Sequence, residues 1–93
     1  MALRAVAAAE KQAAAIRQQA ESLAAQVKQT GYQQADSLMG RAGNNPLLQA
    51  GAKVAADKVR QESDTKAAGI VSEAGRRADS LVAAARRQAS VKP

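Results

Sequence analysis

The stretch "KVRQESDTKAAGIVSEAGRRADSLVAAARRQA", residues 58–89, sets Val59, Ile70 and Leu81 at one interval of eleven, and Leu48 extends the row backwards. Small residues keep the same interval. Ala52, Ser63, Ala74 and Ala85 follow the large row by four, and Ala56, Ala67, Ala78 and Ala89 follow it by eight. Steps of four, four and three return to one face of a helix. Eleven residues over three turns is 3.67 per turn, so the stripe drifts only about 20° per repeat on a 3.6-residue helix. The first half repeats the pattern: Ala5, Ile16, Val27 and Leu38 form its large row, with Ala9, Ala20, Gly31 and Ala42 at +4 and Ala2, Ala13, Ala24 and Ala35 at +8. Strand alternation is absent, so both halves read as helix.

Between the halves lies "MGRAGNNPLL", residues 39–48. Gly40 or Gly43 suits the left-handed conformation that ends a helix. Asn45 is a good N-cap, and Pro46 fits the first helical position, where its missing N–H is no loss. The expectation is all-α: one antiparallel two-helix hairpin over 1–93, an alanine-rich coiled coil on an eleven-residue repeat that dimerises into a four-helix bundle. Helix 1 is placed at about 3–41, the turn at about 42–45 and helix 2 at about 46–90. In an antiparallel pair, residues at one level have a constant sum of numbers. Leu38 with Leu48, Val27 with Val59, Ile16 with Ile70 and Ala5 with Leu81 all sum to 86. Small layers such as Gly31 with Ala56 sum to 87. The register expected on this basis sets large against large and Glu10 level with Arg76 or Arg77. Gly31 reads as a contact residue, whereas Gly69 and Gly75 lie off the stripe.

Composition agrees with elongated helical packing. Of 93 residues 25 are alanine, Phe and Trp are absent, and Tyr32 is the only aromatic. Burying a methyl group releases far less free energy than burying Leu or Phe, so a thick globular core is out of reach. The absence of His and Cys removes imidazole acid–base chemistry, thiol nucleophiles, disulfides and the usual zinc ligand sets. No apolar run approaches the roughly 18 residues of a membrane span. The net charge of +6 permits contact with phosphates or an acidic partner.

The pattern A-x-x-I-V-x-E-A-x-R-R-A-D-S-L-V, residues 67–82, resembles the peripheral-stalk subunits of rotary ATPases, whose alanine-rich helices also use eleven-residue repeats. The segment "NNPLLQAGAKVAADKVRQESDTKA", Asn44–Ala67, with the repeats after it, is similar to uncharacterised helical proteins of the bacterial cell envelope. That resemblance implies a bacterial periplasm or cell-envelope location if a signal sequence was removed. The repeat also resembles that of late-embryogenesis-abundant proteins, but those use mostly Ala and Thr at apolar positions. Ile16, Val27, Val59, Ile70 and Leu81 argue for a folded core here.

No nucleophile–base pair and no Gly-rich phosphate loop is present, so an enzyme is not expected and no cofactor is implied. Glu62 and Asp64, two apart in "ESDTK", point to different sides of a helix and do not suggest a metal site. The expected role is a structural spacer, scaffold or oligomerisation module. The alternative is a binding module whose basic open end meets a membrane surface, cell-wall polymer or nucleic acid. Its candidate anion-binding patch is Arg4, Arg76, Arg77, Arg86, Arg87 and Lys92, since paired arginines suit phosphate or carboxylate. No aromatic accompanies them for base stacking, which disfavours nucleic acid. A candidate self-association seam is Val6, Val71 and Val82, with Val6 expected level with Val82. A homodimer is the expected partner state.

Overall fold

A computed structural model describes residues 2–90 as two α-helices, α1 over Ala2–Ala42 and α2 over Pro46–Ser90, paired as an antiparallel hairpin. Gly43, at φ +55°, is the residue that ends α1. Its N–H donates to Gly40 O at 3.3 Å, and the Asn45 N–H donates to Ala42 O at 3.3 Å, so carbonyls left open at the helix end are satisfied. Asn45 caps α2: its Oδ1 accepts from the N–H of Leu47 at 3.0 Å and of Leu48 at 3.3 Å. Pro46 needs no such acceptor. Gln49 Nε2 donates back to Gly43 O at 2.5 Å, tying the first turn of α2 to the loop.

The chain forms two compact units, Met1–Ser22 with Ile70–Pro93 and Leu23–Gly69. In the second, Arg60 meets Asp36 at 3.3 Å and the Tyr32 hydroxyl meets Asp64 at 3.0 Å. In the first, Arg86 meets Glu10 at 3.2 Å and Arg17 meets Asp79. All four pairs have numbers that sum to 96. The helices approach closely at Gly31, where an added Cβ would lie 2.5 Å from the Cβ of Ser63. That pair sums to 94.

The register therefore differs from the expected 86–87 by about eight residues, or roughly 12 Å along the axis at 1.5 Å per residue. At a sum of 94 the large row of each helix faces the +8 alanine row of the other. Ile16 is level with Ala78 and Leu81 with Ala13 in the first unit; Val27 with Ala67, Leu38 with Ala56 and Val59 with Ala35 in the second. The +4 rows meet each other, as Gly31–Ser63 and Ala20–Ala74. Setting large against large holds helix axes apart. Setting large against alanine lets them close toward the short end of the usual range, about 8 Å, where dispersion contacts replace the missing area of burial.

Burial follows this register. Ala13, Ala35, Ala56 and Ala78 are completely buried, whereas Ile16, Val27, Leu38, Val59, Ile70 and Leu81 are only half-buried. The core is alanine and glycine; the large side chains lie along its edge. The turn does not set the helix ends level. Ala42 is level with Ala52, which leaves Pro46–Gly51 beyond the end of α1 and explains why Leu47 and Leu48 are 82% and 55% exposed. Leu48 thus drops out of the core assigned to it by the repeat.

Cysteine pairing reads the register directly. Ala20→Cys/Ala74→Cys is expected to oxidise to an intramolecular disulfide. Val27→Cys/Val59→Cys is expected to remain reduced, because about 12 Å of axial offset exceeds what the bond spans. Efficient closure of the second pair in a monomer would restore the large-against-large register.

Candidate functional site

With 100° of rotation per residue, the large rows of both helices fall on the same side of the hairpin seam within each unit. The cross-helix polar pairs fall on the other side. Each unit thus has one polar flank and one apolar flank.

On the polar flank of the Leu23–Gly69 unit, Tyr32 Oη donates to both carboxylate oxygens of Asp64, at 3.0 and 3.1 Å. Arg60 lies over the Tyr32 ring, 5.9 Å from its centroid, and reaches Asp36 and Asp57 at 3.3 Å each. The hydrogen bond to Asp64 holds the Tyr32 hydroxyl above its ordinary pKa of 10.0; desolvation and the carboxylate charge act in the same direction, and Arg60 opposes them. The protonated phenol is the form the folded chain favours, so this contribution to stability is present below pH 10 and is lost as pH rises through the elevated pKa. An ultraviolet titration should show Tyr32 ionising above the free-tyrosine value, and Asp64→Asn should lower the midpoint. A midpoint unmoved by Asp64→Asn would show that the carboxylate does not hold the phenol in solution. The helical spacing that separates Asp64 from Glu62 gives no sign of this partner; Tyr32 and Asp64 meet only in the register with a sum of 96.

The opposite flank of this unit is a shallow groove of about 480 Å³. Val27, Gly31 and Val59 form its floor, Leu23 its rim, and Gln26 and Gln34 one wall, with Glu62 and Lys66 on the other. A second hollow of about 450 Å³ shares Thr30, Gln34 and Val59 and continues to Leu38 and Arg41. Among the described residues neither Glu62 nor Lys66 takes part in an ion pair, although the two stand four apart on α2.

The candidate anion-binding residues do not make one cluster. Arg77 is held by Glu73 at 3.4 Å and Arg86 by Glu10 at 3.2 Å. The expected pairing of Glu10 with Arg76 or Arg77 is thereby corrected: the shifted register carries Glu10 to Arg86. Arg76 and Arg87, eleven apart, share the face of α2 turned away from the seam and are exposed, as is Arg4. Lys92 lies outside the described residues. The candidate valine seam is also divided. Val6 is level with Gln88 rather than Val82, which the expected register had paired with it. Val6 and Val82 are half-buried, and Val71 is 41% exposed. Val71 and Val82 lie on the polar flank, beside the bridges of Arg17 and Arg86.

Among the described residues, no group of three or more acidic, His or Cys side chains could hold a metal ion. No described helix is long and apolar enough to cross a membrane. No family model, curated protein or solved structure matches this chain.

Proposed function

We propose that this chain is a structural oligomerisation module, a helical hairpin that works by packing against further helices and carries out no reaction of its own. The observation that supports this reading is the asymmetry of the flanks. One flank is closed by ion pairs and the Tyr32–Asp64 contact; the other leaves a half-buried aliphatic row in an open groove. A hairpin with an alanine core gains little from its own apolar area, and covering that row adds about 0.8 kcal/mol for each CH₂ group withdrawn from water. The resemblance of Asn44–Ala67 and the following repeats to bacterial envelope helices makes a scaffold of the cell envelope the biological setting we favour. Sedimentation equilibrium from micromolar to hundreds of micromolar tests the reading. Concentration-dependent association is expected, and a chain that stays monomeric with full helicity would overturn it.

A second reading rests on Arg76 and Arg87, two exposed guanidinium groups on one outward face with no acidic partner among the described residues. In this reading the hairpin docks on an anionic surface. Binding to anionic vesicles that weakens steeply with salt would support it, and binding unchanged by Arg76→Gln/Arg87→Gln would exclude these two residues as its basis.

A further inference from the structure

We infer that the groove flank of the Leu23–Gly69 unit is the docking face, and that its occupant is the same flank of a second copy of this chain. The inference rests on the oligomerisation reading above and assigns it a surface, which is not the Val6–Val71–Val82 seam.

The polar flank is already occupied. Arg60 there divides itself between two carboxylates and Tyr32, so an incoming helix would have to break contacts before making any. The groove flank has no such contacts to lose. Its α1 wall is neutral from Leu23 to Leu38: the groove residues there are Gln, Thr, Ser or aliphatic. Two copies can therefore meet along α1 without facing like charges.

The charges on the α2 wall favour a copy over a foreign helix. Glu62 and Lys66 stand one helical turn apart, on either side of position 64, and both line the groove. A two-fold axis lying in the interface at that level, perpendicular to the helices, stacks α2 on α2 in antiparallel fashion. Glu62 of each copy then lies opposite Lys66 of the other. The same axis passes α1 at Thr30–Gly31, because those residues are level with Ser63 and Asp64. It sets Leu23 of one copy opposite Leu38 of the other, covering the 50% of Leu23 that is exposed. One axis thus satisfies charge on α2 and apolar contact on α1. An isologous interface needs this kind of self-complementarity.

The test is a charge-reversal cycle by sedimentation equilibrium at low salt, with helicity measured on every variant. Glu62→Lys and Lys66→Glu each replace two attractions by two repulsions, and each is expected to weaken the dimer about tenfold. The double variant Glu62→Lys/Lys66→Glu restores both pairs and should return to within about twofold of the parent. Both positions are at the surface, so loss of the fold is not expected and would be seen as lost helicity. Leu23→Asp, also at the surface, should abolish association. A dimer indifferent to all four variants but dissociated by Val71→Lys/Val82→Lys would overturn the assigned face and leave the oligomerisation reading standing. A parent chain that never associates would overturn both.

Discussion

Gly31→Leu is expected to destabilise the hairpin by about 3 kcal/mol. At Gly31 the two helices approach closely, and a Cβ there would stand 2.5 Å from the Cβ of Ser63 and closer still to its Oγ. Non-bonded carbons do not approach to that distance, so the helices must separate or slide. Neither is tolerated by a seam whose attraction depends on short contacts. Ser63 cannot simply swing aside, because its Oγ donates to Val59 O at 2.8 Å and its Cβ is fixed to the backbone. Even Gly31→Ala should cost about 1 kcal/mol net, the gain in helix propensity being outweighed by overpacking. Transferring the glycine across the seam, in Gly31→Ala/Ser63→Gly, should recover most of the loss. Ser63→Ala should recover little, since it keeps the offending Cβ. Urea unfolding followed by circular dichroism measures all four, and a Gly31→Ala variant as stable as the parent would show that the close approach is absent in solution.

The same residue pair shows how far the sequence could be read. Eleven-residue spacing is a local property of each helix, and the turn signals at Gly43, Asn45 and Pro46 are local as well. Helix, turn and hairpin could therefore be read from residues near one another in the chain. Register is not local. The repeat offers two antiparallel alignments: one pairs the large rows and interleaves the small ones, and the other brings all three rows into coincidence at a sum of 94. Choosing the first assumes that large side chains seek one another, as in a leucine-rich core. In an alanine seam the reverse holds, because close approach of the backbones gives more contact than stacking a few Val and Leu. Ser63, the one polar residue in its row, stands opposite Gly31, the one glycine in its row, and this was the available clue to the second alignment.

The candidate site was obscured by the same error. With the register displaced by about 12 Å, Asp64 finds no tyrosine, Glu10 points to the wrong arginines and Val6 joins Val82. Of the arginines grouped near the open end, the four on α2 are spread around that helix, two of them held by Glu10 and Glu73. Rotation along a helix separates residues that sequence distance groups together. The groove lies where the half-buried large rows of the two helices fall on a common flank, a consequence of antiparallel pairing that no single helix displays.

The opposite sign of effect is expected at the glycines of α2. An added Cβ at Gly51, Gly69 or Gly75 meets nothing within 4 Å, and none of these residues has the left-handed conformation that Gly43 requires. Each Gly→Ala change removes backbone freedom from the unfolded chain without a folded-state penalty, a gain of about 1 kcal/mol per site in a helix interior. Gly51 and Gly69 are separated by five turns of helix, and Gly69 and Gly75 share no contact, so the gains should be nearly additive. Gly51→Ala/Gly69→Ala/Gly75→Ala is then about 3 kcal/mol more stable than the parent. That is a large increment for a chain whose total stability, at about 0.1 kcal/mol per residue, is on the order of 10 kcal/mol. Gly43→Ala is the matched control. It too meets open space, but its φ of +55° costs an L-residue about 1 kcal/mol, so it should destabilise. Two sets of glycines with equally empty surroundings would then differ in sign through backbone conformation alone. A triple variant no more stable than the parent would mean that α2 is not continuous helix through these three positions, and that the second helix is held by its seam contacts and not by its own propensity.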